Sequence, residues 1–168
     1  LSALIISFCV ISVPLTTNTM HGKNNIAIGF LIMGGFMLYG FLLIYLRDFA
    51  PDKQAWVDTY STGKHFESRL AHVHGNLFAV LNVIIGYLLL HFHGTLNNSK
   101  AISWLAMAGL LMPIGILAEV YFGVPPALVL VGAVAMTVSV VWLGISFYTM
   151  KLTIKEAMEI PDTVELIE

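Results

Sequence analysis

The sequence predicts an all-α integral membrane protein, a four-helix transmembrane bundle forming a single domain over residues 1–168. Three observations carry this. Hydrophobic residues make up 58% of the chain and charged residues 11%, whereas a soluble domain carries about 25% charged residues. Mean hydropathy is +0.85. The apolar residues also gather into four long runs separated by shorter polar connections, and each run approaches the roughly 20 residues a helix needs to cross a bilayer. The net charge of −2 and the lack of any basic block exclude nucleic acid as a partner. One cysteine, Cys9, allows no intrachain disulfide.

Residues 1–15 are apolar but short for a span. They start without Met and without a basic stretch, and read as an uncleaved signal-like segment, an interfacial helix or, the favoured reading, a truncated or partial membrane segment, which Pro14 and the polar run 16–19 bring to an end. The first full span covers about 26–46. It holds no charge and four glycines, Gly29, Gly34, Gly35 and Gly40, which invite close approach of a neighbouring backbone. Arg47-Asp48 marks the water boundary. Residues 47–71 form the longest polar connection. Trp56 and Tyr60 place part of it in the headgroup zone, and 64–70 begins the next helix early.

The second span covers about 72–92 and is followed by a short turn over 93–100. The third covers about 101–122, with a kink expected at Pro113. Gly123-Val124-Pro125-Pro126 makes a tight turn. The fourth span covers about 127–149, where Ala135 and Ser139 offer a small-residue contact. The tail, 150–168, is polar and acidic and reads as a short surface helix stopping near Pro161. Arg47, Lys53, Lys64 and Arg69 lie on one membrane face, and Lys23, Lys100, Lys151 and Lys155 on the other. The positive-inside rule therefore leaves orientation undetermined.

The second span is the informative one. His72, Gly75, Ala79, Asn82 and Gly86 recur at steps of three and four, so they line one helical face. The opposite set, His74, Phe78, Leu81, Ile85 and Leu88, is bulky. One face is thus a shallow trough with a histidine at its mouth, shaped for something flat or for another backbone. His72 and His74 point to nearly opposite sides and cannot share a metal. His72 reads either as a hydrogen-bonded residue at the membrane boundary or as the axial ligand of a haem-like planar cofactor. Asn82 reads as an interhelical hydrogen bond or as a group that orients a bound molecule.

Consecutive spans run antiparallel, so the start of the second and the end of the third share a membrane face. That face gathers Arg47, Asp48, Glu67, Arg69, His72, His74 and Glu119. Glu119 is the one carboxylate with apolar sequence on both sides. It is either a functional group or a residue near the helix end reaching the headgroups. His21, His91 and His93 gather on the far face, about 30 Å away, and read as surface histidines. No nucleophile motif, phosphate loop, HExxH or CxxC is present.

His21-Gly22 before the first span, the polar connection, Arg69-Leu70-Ala71-His72 opening the second span, and Gly75 and Asn82 beyond it give the chain a resemblance. It resembles the styrene oxide isomerase family of small four-span membrane proteins. The resemblance implies haem b with His72 as its axial and metal ligand, with Gly75, Ala79 and Gly86 providing clearance. It implies a homo-oligomer (a trimer with haem between subunits) in a bacterial or archaeal cytoplasmic membrane. It also implies Lewis-acid isomerisation of a small hydrophobic epoxide, with Asn82 and Tyr121 as the nearest counterparts of the family's substrate-holding pair and Glu119 beside them. The family's asparagine position itself falls on Phe78. The alternative is a non-catalytic accessory subunit of a larger membrane oxidoreductase or oxygenase complex, for which the glycines and the trough would be docking surfaces. A proton path through Glu119 is disfavoured by the single carboxylate and the absence of a repeat.

Overall fold

The structure is a computed structural model and describes residues 17–150. The expected N-terminal membrane segment and the surface helix of the tail lie outside the described residues. Six helices follow in order: α1 (Thr17–Asp48), α2 (Lys53–Asp58), α3 (Lys64–His91), α4 (Ser99–Gly109), α5 (Leu111–Phe122) and α6 (Ala127–Thr149). Four segments are long and apolar enough to cross a membrane: His21–Asp48, Lys64–His91, Ser99–Phe122 and Ala127–Thr149. This is an all-helical, multi-pass membrane architecture. The first two helices overrun the spans read from hydropathy. Hydropathy marks only the hydrocarbon slab, and a helix entering the headgroup zone keeps its internal hydrogen bonds.

The third span is two helices, broken at Leu110. Pro113 has no N–H, and its ring crowds the Gly109 carbonyl four residues back. Leu110 N–H turns to the Met107 carbonyl at 3.1 Å, a tightened turn. In an unbroken helix that N–H would have served Ala106. The Ala106 carbonyl takes its donor from another helix instead: Asn82 Nδ2 lies 2.9 Å from it. The expected kink is therefore present, and a residue of α3 repairs it. At the far end of α5, Gly123 adopts φ 65°. This left-handed conformation suits glycine and stops the helix before Pro125-Pro126.

The trough on α3 is filled by α1. A Cβ placed on Gly86 would come within 2.6 Å of the Gly22 carbonyl oxygen, and one on Gly29 within 2.8 Å of the Ala79 carbonyl oxygen. Gly75 lies against the ring of Phe36. The two backbones meet where side chains are absent, so dispersion contacts replace the hydrophobic drive that lipid does not supply. Of the two shapes expected in the trough, another backbone is the one found. On the other side of α3, Ile85, Leu89, Leu96, Ile102, Ala106, Met136 and Leu143 form the core with α4 and α6. The small pair on α6 is used there. Ala135 is buried, and Ser139 donates to the Ile102 carbonyl at 2.9 Å.

Three buried polar side chains tie α1, α3 and α4 together. Asn25 Nδ2 donates to Asn82 Oδ1 at 3.0 Å and to the Ser103 carbonyl at 3.1 Å. Ser103 Oγ returns a bond to Asn25 Oδ1. Asn82 Nδ2 also donates to its own helix at Phe78, 3.0 Å away. All three residues are 0% exposed.

Candidate functional site

The entrance of α3 carries the less enclosed polar groups. His72 Nδ1 lies 2.9 Å from the Phe36 carbonyl of α1. A carbonyl can only accept, so Nδ1 carries a proton and Nε2 is the ring nitrogen left without a protein partner. Gly40 of α1 gives the ring room, since a Cβ there would stand 2.7 Å from His72 Cε1. One helical repeat earlier, His65 does the same with a different partner. Its Nδ1 lies 3.1 Å from the Trp56 carbonyl of α2. Its ring stacks on Trp56 with centroids 4.8 Å apart and meets Tyr60 edge-on at 5.2 Å. His65 thereby pins the α1–α3 connection onto α3.

Both imidazoles line one cavity of about 450 Å³, whose walls are Met37, Phe41, Leu43 and Ile44 of α1 and whose mouth carries Arg47, Tyr60 and Arg69. That volume falls within the usual range for small-molecule and cofactor sites, about 300–1,000 Å³. Arg69 lies over the Tyr60 ring, 4.0 Å from its centroid, a cation–π contact that holds the guanidinium at the mouth. Arg47 pairs with the neighbouring Asp48 at 2.8 Å. The cavity therefore joins an apolar wall, two cations at the water boundary and two histidines.

The other expected site residues lie elsewhere. Gly75, Ala79 and Gly86 are buried under α1, so their clearance serves helix packing. Asn82 stands about 15 Å along α3 from His72, at 1.5 Å per residue, and its amide is fully used by Asn25, Phe78 and Ala106. Glu119 is exposed near the end of α5, away from the cavity lining. Tyr121 is brought to α1 and α3 beside Tyr39, whose ring centroid lies 6.4 Å from that of His72, though Tyr121 itself does not line the cavity. Its hydroxyl lies 3.1 Å from Tyr39 and 3.4 Å from Ser68. His74 turns away as expected, with Nδ1 donating to the Leu70 carbonyl at 2.9 Å. Among the described residues, no group of three or more His, Cys, Asp or Glu side chains could hold a metal ion.

Sequence reasoning missed His65, Asn25 and Tyr39. The signal for His65 was available, because seven residues from His72 is two helical turns on the same face. Asn25 sits just outside the 26–46 span that hydropathy marks. No protein family, curated protein or solved structure matches this chain.

Proposed function

We propose that this membrane protein holds haem b in the cavity between α1 and the entrance of α3, with His72 as axial ligand. The observation carrying this reading is the His72 tautomer. Its Nδ1–H is spent on the Phe36 carbonyl at 2.9 Å, leaving Nε2 as the donor nitrogen. Metal-ligating histidines are oriented this way, by a backbone or carboxylate acceptor on the other ring nitrogen. The surroundings suit the group. Gly40 gives clearance to the imidazole, and Met37, Phe41, Leu43 and Ile44 offer an apolar wall to a macrocycle. Arg47 and Arg69 stand where propionate carboxylates would meet water.

When bound, ferric haem supplies Lewis acidity, the chemistry that redox-neutral isomerisation of a small hydrophobic epoxide requires. The chain's own contribution is to bind and orient. The apolar wall admits a hydrophobic substrate from the bilayer and excludes water. His65 brings a second imidazole to the same cavity, its Nδ1 held by the Trp56 carbonyl. Phe41 and Ile44 are exposed on α1, so a homo-oligomer that covers this flank fits the reading. Asn82 and Glu119 have no part in it.

The test is the absorption spectrum of detergent-purified protein supplied with haem. The wild type and His74→Ala should show a Soret band, and His72→Ala should lose it. A haem-supplied wild type without the band, or a band that His72→Ala leaves unchanged, overturns the reading.

One observation favours the accessory-subunit reading. The first span is the least covered, with 17% of its apolar window buried against 44% for the third. Copurification of a stoichiometric partner, with no Soret band, would select it.

A further inference from the structure

Residues 49–63 carry the chain from α1 to α3 past the mouth of the histidine cavity. Their short helix α2 has no buried residue, so core packing does not hold this strap down. Two side chains of α3 do. His65 Nδ1 donates to the Trp56 carbonyl at 3.1 Å, and the His65 ring stacks on the indole. Arg69 covers the Tyr60 ring, 4.0 Å from its centroid, and reaches the Tyr60 carbonyl at 3.5 Å. His65, Arg69 and Tyr60 all line the cavity. The clasp therefore faces the space that the strap borders.

One feature opposes the clasp. Trp56 Nε1 is buried and, among the described residues, is the one such side-chain nitrogen or oxygen without a hydrogen-bond partner. An indole N–H shut away from water usually finds an acceptor, and one that finds none carries the full desolvation penalty. That penalty belongs to the closed strap alone. Trp56 follows the Arg47-Asp48 boundary by one short turn of chain, so lifting α2 gives the N–H water. Closure is favoured by the stack, the hydrogen bond and the cation–π contact, and opposed by one unmet donor.

We propose that residues 49–63 are a strap that opens and closes the water-side mouth of the histidine cavity, with His65 and Arg69 as its clasp and Trp56 as the residue that keeps it releasable. The bilayer side is a separate way in, since Phe41 and Ile44 are exposed there. An occupant that draws Arg69 away from Tyr60 loosens the clasp, so filling the cavity and freeing the strap are linked. The strap guards the cavity assigned to haem above, yet its contacts are its own and do not depend on what fills that cavity.

Leu43 can report the opening. It lines the cavity and is 9% exposed, and a micelle shields its bilayer side from a charged reagent. The full chain carrying Leu43→Cys in a Cys9→Ser background is labelled in detergent with a sulfonate-bearing methanethiosulfonate. The labelling rate follows the open fraction of the strap when reclosing outpaces labelling. His65→Phe keeps a ring for the stack but removes the hydrogen bond, and should raise the rate about fivefold. Trp56→Phe keeps a ring against His65 but removes the unmet donor, and should lower the rate about tenfold. A slower rate cannot come from misfolding, so Trp56→Phe is the deciding variant. A rate that Trp56→Phe leaves unchanged or raises overturns the proposal, as does one that His65→Phe fails to raise. No haem band is read, so a protein without a Soret band that still shows the two opposed shifts fails only the haem reading.

Discussion

Helix α3 carries polar side chains in two places, and the places differ in kind. At its middle, Asn82 is 0% exposed and every hydrogen-bonding atom of its amide meets a partner from α1, α4 or its own helix. At its entrance, His65 and His72 each spend one ring nitrogen on a backbone carbonyl and keep the other free beside a cavity. A closed polar group holds helices together. A half-closed one is held in place and still has something to offer a ligand. Burial or polarity alone would not separate the two regions; the count of unused donors and acceptors does.

The contrast can be broken in four graded ways. The largest effect is expected at the α1–α3 seam. Gly86→Leu drives a side chain into the Gly22 backbone, where 2.6 Å is available, and backbone cannot step aside. The cost should reach or pass ~3 kcal/mol, the upper end of ordinary overpacking. Gly34→Leu, with nothing within 4 Å, should leave the detergent melting temperature unchanged. Equal melting of the two variants would contradict the seam.

Next comes the bracket. Asn82→Ala strands the Ala106 carbonyl and should cost about 1–3 kcal/mol. Pro113→Ala restores the missing helical N–H and lets the ladder close, so the Asn82 penalty should shrink in that background. A double-mutant cycle measures this coupling, and strict additivity would show that Asn82 does not serve the break. His72→Ala comes third. It should cost about 1 kcal/mol, the value of one hydrogen bond, while removing the Soret band. A large stability loss would move His72 into the same class as Asn82. Arg69→Ala is the mildest, at about 0.5 kcal/mol for an exposed cation–π contact. Its sharper effect should be faster haem loss, measured by transfer to apomyoglobin.

Much of the scaffold was legible in the sequence. Apolar run length located four spans, and Pro113 located the break. The three-and-four spacing from His72 to Gly86 identified the α3 face that α1 covers, and the same reasoning separated His72 from His74. What spacing cannot supply is the identity of the covering element. A row of small residues fits a flat cofactor and a glycine-bearing helix equally well, and only the long-range pairing of Gly22 with Gly86 and Gly29 with Ala79 decides between them. Asn82 posed the same difficulty, because its partners are 57 and 24 residues away in the chain. Local pattern specifies a face; the tertiary fold specifies its neighbour.

The Asn25 bracket also has a consequence for biogenesis. Its two partners, Asn82 and Ser103, lie 57 and 78 residues downstream. At about 5–20 residues per second, the ribosome reaches Ser103 roughly 4–16 s after Asn25. Asn82 is reached first, after roughly 3–11 s, so the first span holds an amide without any partner until the second span emerges and an incomplete bracket until the third does. Its high apolar content, a mean hydropathy of 2.2 in its best window, is what keeps it inserted while it waits. The first span should therefore linger at the insertion machinery until the third emerges, and Asn25→Leu should release it early.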